Sequence, residues 1–261
     1  VMGGRGSTSQ LKKRMPQQPQ QQTAQNPIQQ QPPTPDNTPV VNGALTALSQ
    51  MSDDQLATLM ANSKTVDMPN HLNDAVDATQ KFAYTAGVNE MPTVLDDSAF
   101  DQFLKDNNIP KSNILSRSVS GVTYNSGGIR YNLTATDITD MMKYSALNYV
   151  GGKHGGQVYG AGTYFDMNGG MNTGYHSGAT ALAVLNPKTA HCIDKGSLQS
   201  MAATFAQSHP KFAKQVGRIS SSTLSIYALA MGYNVITDSK TNPSYHNVID
   251  RKAIVYRKSN L

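Results

Sequence analysis

Residues 158–175 read VYGAGTYFDMNGGMNTGY, and the fold turns on how this segment is read. Gly160 and Gly162 stand just before Tyr164 and Phe165, and a further tyrosine follows at Tyr175. Glycines at such positions allow backbone conformations, or a close approach by a ligand, that a side chain would block. Two phosphate cradles are excluded. Phe165 occupies the place of the third glycine in a dinucleotide-binding G-x-G-x-x-G, and no Gly-Lys-Ser/Thr follows to make a P-loop. Taken alone, the glycine pair also fits an ordinary turn. Tyr164 and Tyr175 offer flat faces on which a heteroaromatic ring can stack, and the same residues equally serve as half-buried packing groups.

Working outward, the chain on both sides alternates strand and helix patterns. NILSRSVSGVTY (113–124) is strand-like and TATDITDMMKYSALNYV (134–150) reads as a capped helix. TALAVLNP and AHCID read as strands parted by a proline turn, and SLQSMAATFAQS as a helix. A shorter helix near Phe212 and the apolar SSTLSIYALAMGY follow, then strands in NVI, HNVID and AIVY. Residues 111–261 therefore read as an α+β domain with flanking helices. Residues 45–110 read as a helical lead-in packed against it. Ser52 and Gln55 are spaced as a capping box, and Phe100, Phe103 and Leu104 align before Pro110. Residues 1–44 form a Gln/Pro-rich tract with almost no large apolar side chains, expected to be a disordered tail.

Composition narrows the classes further. The single cysteine, Cys192, gives neither an internal disulfide nor a thiolate metal site, and the histidines lack the i, i+4 spacing that presents metal ligands from one helix. No apolar run approaches the roughly 18 to 20 residues needed to span a bilayer, so no membrane partner is expected. The net charge of +5 is unevenly divided: residues 1–110 carry 7 Lys/Arg against 11 Asp/Glu, residues 111–261 carry 15 against 6. A basic half attracts polyanions such as nucleic acid or a phosphate-bearing cofactor, and it is also what a solvated lysine-rich surface looks like.

The order of segments from about Ile114 onward resembles the ADP-ribosyltransferase superfamily, especially its phage-encoded branch and, more remotely, the catalytic domains of poly(ADP-ribose) polymerases. ILSRSVSG looks like the family's first core strand, whose Arg or His lies against NAD; the matching residue is Arg117, with the backbone of Ser118 as a partner for the nicotinamide amide. YGAGTYF is similar to the family's Gly-x-Gly-x-Tyr-Phe strand, so the resemblance assigns Gly160, Gly162, Tyr164 and Phe165 to the cofactor, with Tyr175 as the later tyrosine on nicotinamide. GYNVI and SYHNVIDRKAIVY resemble the closing strands. The resemblance implies a split two-sheet core, NAD as a substrate, and a host protein or nucleic acid as acceptor of a single ADP-ribose. It also implies a phage protein, acting in the virion or the host cytoplasm and associated with phage head proteins. His154, in GGKHGGQ, sits in a Gly-rich loop able to close over the cofactor.

One part of the pattern is broken. The family places a glutamate at the start of its last matching strand, where a carboxylate orients the ribose and offsets developing positive charge. Tyr245 stands at that position, and the chain's only glutamate, Glu90, lies upstream of the whole region. Along the sequence no carboxylate flanks Tyr245: Asp238 precedes it and Asp250 follows it, and either would have to be delivered by a bend. Three readings stay open. An aspartate such as Asp238 supplies the charge; or the acceptor contributes its own carboxylate; or catalysis has been lost, and a non-catalytic virion or interaction protein retains the fold. A nucleic-acid binder built on the basic half is a further alternative.

Overall fold

In the computed structural model, the strand formed by the TYFD of that segment lies inside an eight-stranded mixed sheet. The structure describes residues 43–63, 78–88, 90, 92–118, 123–126, 129–132, 161–166, 180–238 and 245–258. The Gln/Pro tract up to residue 42, the expected helix over 134–150, and His154, Gly160 and Tyr175 lie outside the described residues. All described residues fall within one compact unit, Thr34–Leu261. No helix among them is long and apolar enough to cross a membrane.

Helices α1 (Gly43–Gln50), α2 (Asp53–Asn62) and α3 (Ala78–Thr85) come first, followed by strand β1 (Thr93–Leu95) and helix α4 (Asp97–Asp106). Strands β2 (Leu115–Ser118), β3 (Thr123–Ser126), β4 (Ile129–Asn132), β5 (Thr163–Asp166), β6 (Thr180–Leu185) and β7 (Cys192–Asp194) follow. Helices α5 (Lys195–Ser208), α6 (Pro210–Val216) and α7 (Leu224–Ala230) lead to β8 (Val235–Asp238), β9 (Tyr245–Val248) and β10 (Ile254–Arg257). The sheet order is β1-β10-β6-β2-β5-β9-β8-β7, with parallel pairs at the two edges and antiparallel pairs between; β3 and β4 form a separate hairpin.

Local chemistry accounts for the element ends. Ser52 Oγ accepts from the Gln55 backbone N–H at 3.2 Å while Gln55 Oε1 accepts from the Ser52 N–H at 2.8 Å, which is the reciprocal cap its spacing predicts. The neighbouring Asp53 carboxylate reaches across to α6 and accepts from the backbone N–H of Lys211 (3.1 Å) and Phe212 (2.8 Å), filling orphan donors at that helix start. The lead-in is thereby tied to the later helices. It also contributes β1, which pairs in parallel with β10.

Register sorts the side chains between two faces, since paired residues point the same way. One face carries Val255, Val184, Ser116, Asp166, Tyr245, Asp238, Ile236 and Ile193. Phe100 and Leu104 of α4 pack on Val184 and Val255, while α1, α2, α3, α5, α6 and α7 join Ile193 and Ile236 in the larger core. Between these two apolar groups the same face turns polar, with Ser116, Asp166, Asn247 and Asp238 all buried. That polar strip runs across the strands carrying Arg117, Tyr164 and Tyr245.

Candidate functional site at the β2–β5 junction

Strands β2 and β5 are joined by one registered pair among the described residues, Ser116 with Asp166. By contrast β2 pairs with β6 along its whole length, and β5 likewise with β9. Beyond the Ser116–Asp166 pair no further pairs are registered towards Ser118 and Tyr164, and a side chain takes over the role of the ladder: Arg117 Nη1 donates to the carbonyl oxygen of Tyr164 at 2.9 Å. Exposure follows the same division. Leu115, Ser116, Phe165 and Asp166 are buried, whereas Arg117 and Tyr164 are half-buried.

Arg117 leaves β2 on the opposite face from Ser116, the face that carries Tyr256 and Phe165, whose rings lie 6.0 Å apart. Burial lowers the guanidinium's pKa from its ordinary value, and the proximity of Tyr256, Asp166 and Tyr164 works the other way. The charge survives at any working pH, because an arginine starts from so high a value. Burial also raises the Tyr256 phenol, which stays protonated. The Asp166 carboxylate thus stands within electrostatic reach of the guanidinium across the junction. Ser116 Oγ is fully buried and has no hydrogen-bond partner among the described residues.

The next two strands extend the row. Asp166 is paired with Tyr245 on β9, and Tyr245 with Asp238 on β8. This corrects the expectation that no carboxylate flanks Tyr245 without a bend in the chain. Counted along the sequence the aspartates are remote; across an antiparallel ladder they are immediate neighbours on one face, one on each side. Asp250 is otherwise engaged. Its carboxylate accepts from Asn234 Nδ2 (3.2 Å) and from the Lys252 backbone N–H (3.0 Å), and burial raises its pKa despite these bonds. Glu90 pairs with Lys252 Nζ at 2.6 Å.

The remaining sequence-derived positions fall as follows. Gly162 is a close-approach site, but the atom that comes close belongs to the protein: a Cβ built there would clash with Asn247 Oδ1, and Asn247 Nδ2 donates to the Ala161 carbonyl at 3.3 Å. Phe165 is a buried core residue against Tyr256. The backbone of Ser118 continues β2 opposite Thr180. Asp166 and Ser116 were missed in the sequence, where the available signal was the carboxylate directly after the Tyr-Phe pair. His246, beside Tyr245, is held neutral, its pKa pushed down to about 4 by burial, and its Nδ1 has no hydrogen-bond partner among the described residues.

Taken together, the Arg117 guanidinium is bound to the Tyr164 backbone carbonyl on one face of the sheet, and the half-buried Tyr164 and the buried Asp166 lie on the other. Comparison with protein-family models, with curated proteins and with solved structures finds no match to this chain.

Proposed function

We propose that the β2–β5 junction binds NAD and that the chain is a mono-ADP-ribosyltransferase-like protein acting on a host macromolecule. The observation that carries this reading is the bond from the Arg117 guanidinium to the Tyr164 backbone carbonyl, between residues remote in sequence, where β2 and β5 share one registered pair among the described residues. The split two-sheet core that the family resemblance implies belongs to the same proposal. The residues present suit the ligand: a guanidinium for phosphate or ribose oxygens, a half-buried tyrosine ring for nicotinamide, and buried carboxylates near the position where the family carries its glutamate. NAD supplies the ADP-ribosyl group. The virion or host cytoplasm as the place of action belongs to the same proposal.

A second reading, a non-catalytic interaction protein retaining this fold, is favoured by two features. The Arg117 guanidinium is already bonded to the Tyr164 carbonyl, and Asn247 fills the space beside Gly162. Thermal unfolding with added NAD separates the two. A ligand that binds only the folded state stabilises it, by about 2.7 kcal/mol at a hundred times its Kd. The transferase reading predicts a rise in Tm for the full chain that Arg117→Ala abolishes; an unchanged Tm in the intact chain favours the second reading.

A further inference from the structure

We infer that Asp166 supplies the carboxylate that holds the ribose beside the bond to be broken, in place of the absent glutamate. The inference rests on the NAD-binding reading of the junction and assigns a residue that the sequence pattern does not.

Four carboxylates compete for the role, and position decides between them. Glu90 and Asp250 are bound to Lys252 and to Asn234, away from the junction. Asp238 and Asp166 both adjoin Tyr245 on one face, as its partners on either side. Directly opposed residues of an antiparallel pair have Cβ atoms about 4.5–5.5 Å apart, so a carboxylate at either place covers much of the space of a side chain at 245. Only Asp166 is also on a strand that borders the junction. Among the described residues it forms the one registered pair with β2, its charge acts on Arg117 on the opposite face of that strand, and it shares its own face with Ser116, whose buried hydroxyl has no partner among the described residues. Asp238 lies two strands further from β2. A buried hydroxyl without a protein partner is uncommon and calls for a bond to something else. A ribose hydroxyl, both donor and acceptor, matches the hydroxyl and carboxylate pair.

The chemistry asked of Asp166 is electrostatic. The reaction breaks the bond between the ribose carbon and the nicotinamide nitrogen, and the bonding electrons leave with nicotinamide. A new bond forms from that carbon to a nucleophilic oxygen or nitrogen of the acceptor, or to water, which gives up a proton to solvent. Positive charge grows on the ribose in between, and a fixed, desolvated carboxylate opposes that growth without forming a bond itself.

The test uses the full chain, labelled NAD, nicotinamide release as the turnover readout, and NAD-induced Tm shift as the binding readout. Asp166→Asn is expected to lower kcat about a hundredfold or more while the Tm shift and KM change little. Asp166→Glu is expected to recover most of the turnover, and Asp238→Asn to lose less of it than Asp166→Asn. Such a split between kcat and binding, with rescue by the conservative variant, does not arise from a merely structural aspartate. Unchanged turnover in Asp166→Asn, or loss confined to Asp238→Asn, overturns the inference and leaves the NAD reading intact. Binding without release in the unaltered chain overturns it too. An unaltered chain that neither binds nor releases overturns both.

Discussion

Replacing Gly162 by alanine tests how the glycine segment is built. The added Cβ would occupy the position of the Asn247 carboxamide, so the side chain of this fully buried asparagine must swing away. That movement breaks the 3.3 Å bond to the Ala161 carbonyl, and a buried polar group that loses its partner costs about 1–3 kcal/mol. Strain from forcing a methyl into a filled space adds about 1–3 kcal/mol, which gives a loss of about 2–6 kcal/mol for Gly162→Ala. Urea unfolding followed by circular dichroism measures it, with an unchanged m-value as the sign of an unaltered unfolding transition. The decisive comparison is a double-mutant cycle. In an Asn247→Ala background the Cβ finds room, and the added cost of Gly162→Ala falls below about 1 kcal/mol, the coupling expected of residues in contact. A single mutant within about 0.5 kcal/mol of wild type, or an equal cost in both backgrounds, would refute the reasoning.

Further predictions concern the core, His246 and the cation. Phe212 is fully buried between Phe82, Phe205 and Tyr227, with ring centroids 5.8–5.9 Å apart, so Phe212→Ala destabilises by about 3–5 kcal/mol in the same unfolding assay. His246 titrates near 6.5 when unfolded and near 4 when folded. The unfolded chain then binds the extra proton between those values, so stability falls as pH drops from 6.5 to 4, by about 3 kcal/mol in all. His246→Gln removes that dependence; identical pH slopes for the two proteins would contradict it. Arg117→Lys retains a charge but loses the forked donors, and its NAD-induced Tm shift is expected to fall well below wild type while exceeding that of Arg117→Ala.

Much of the architecture was legible because it rests on local signals. The Ser52–Gln55 cap, the Phe100–Leu104 stripe and the apolar run of α7 each fix an element from a few neighbouring residues. Strand β1 was not legible: Thr93 and Val94 are exposed, three residues carry no period, and only the pairing with β10 makes them a strand. The site divides the same way. Arg117 and Tyr164 stand out by residue type in strand-like segments, and the fold brings them together. The placement of Asp166 and Asp238 on either side of Tyr245 depends on which residues face each other across strands, and chain spacing misled the reading there because an antiparallel ladder folds distance along the sequence back on itself. The glycine at 162 signalled a close approach, but not that Asn247 makes it.

Amide hydrogen exchange of the full chain, with and without saturating NAD, tests the central claim most directly, because it locates binding as well as detecting it. The account predicts NAD-dependent protection concentrated on residues 115–118, 163–166 and 245–248, and its loss in Arg117→Ala. Unchanged exchange throughout these three segments, or protection confined to other parts of the chain, would contradict it.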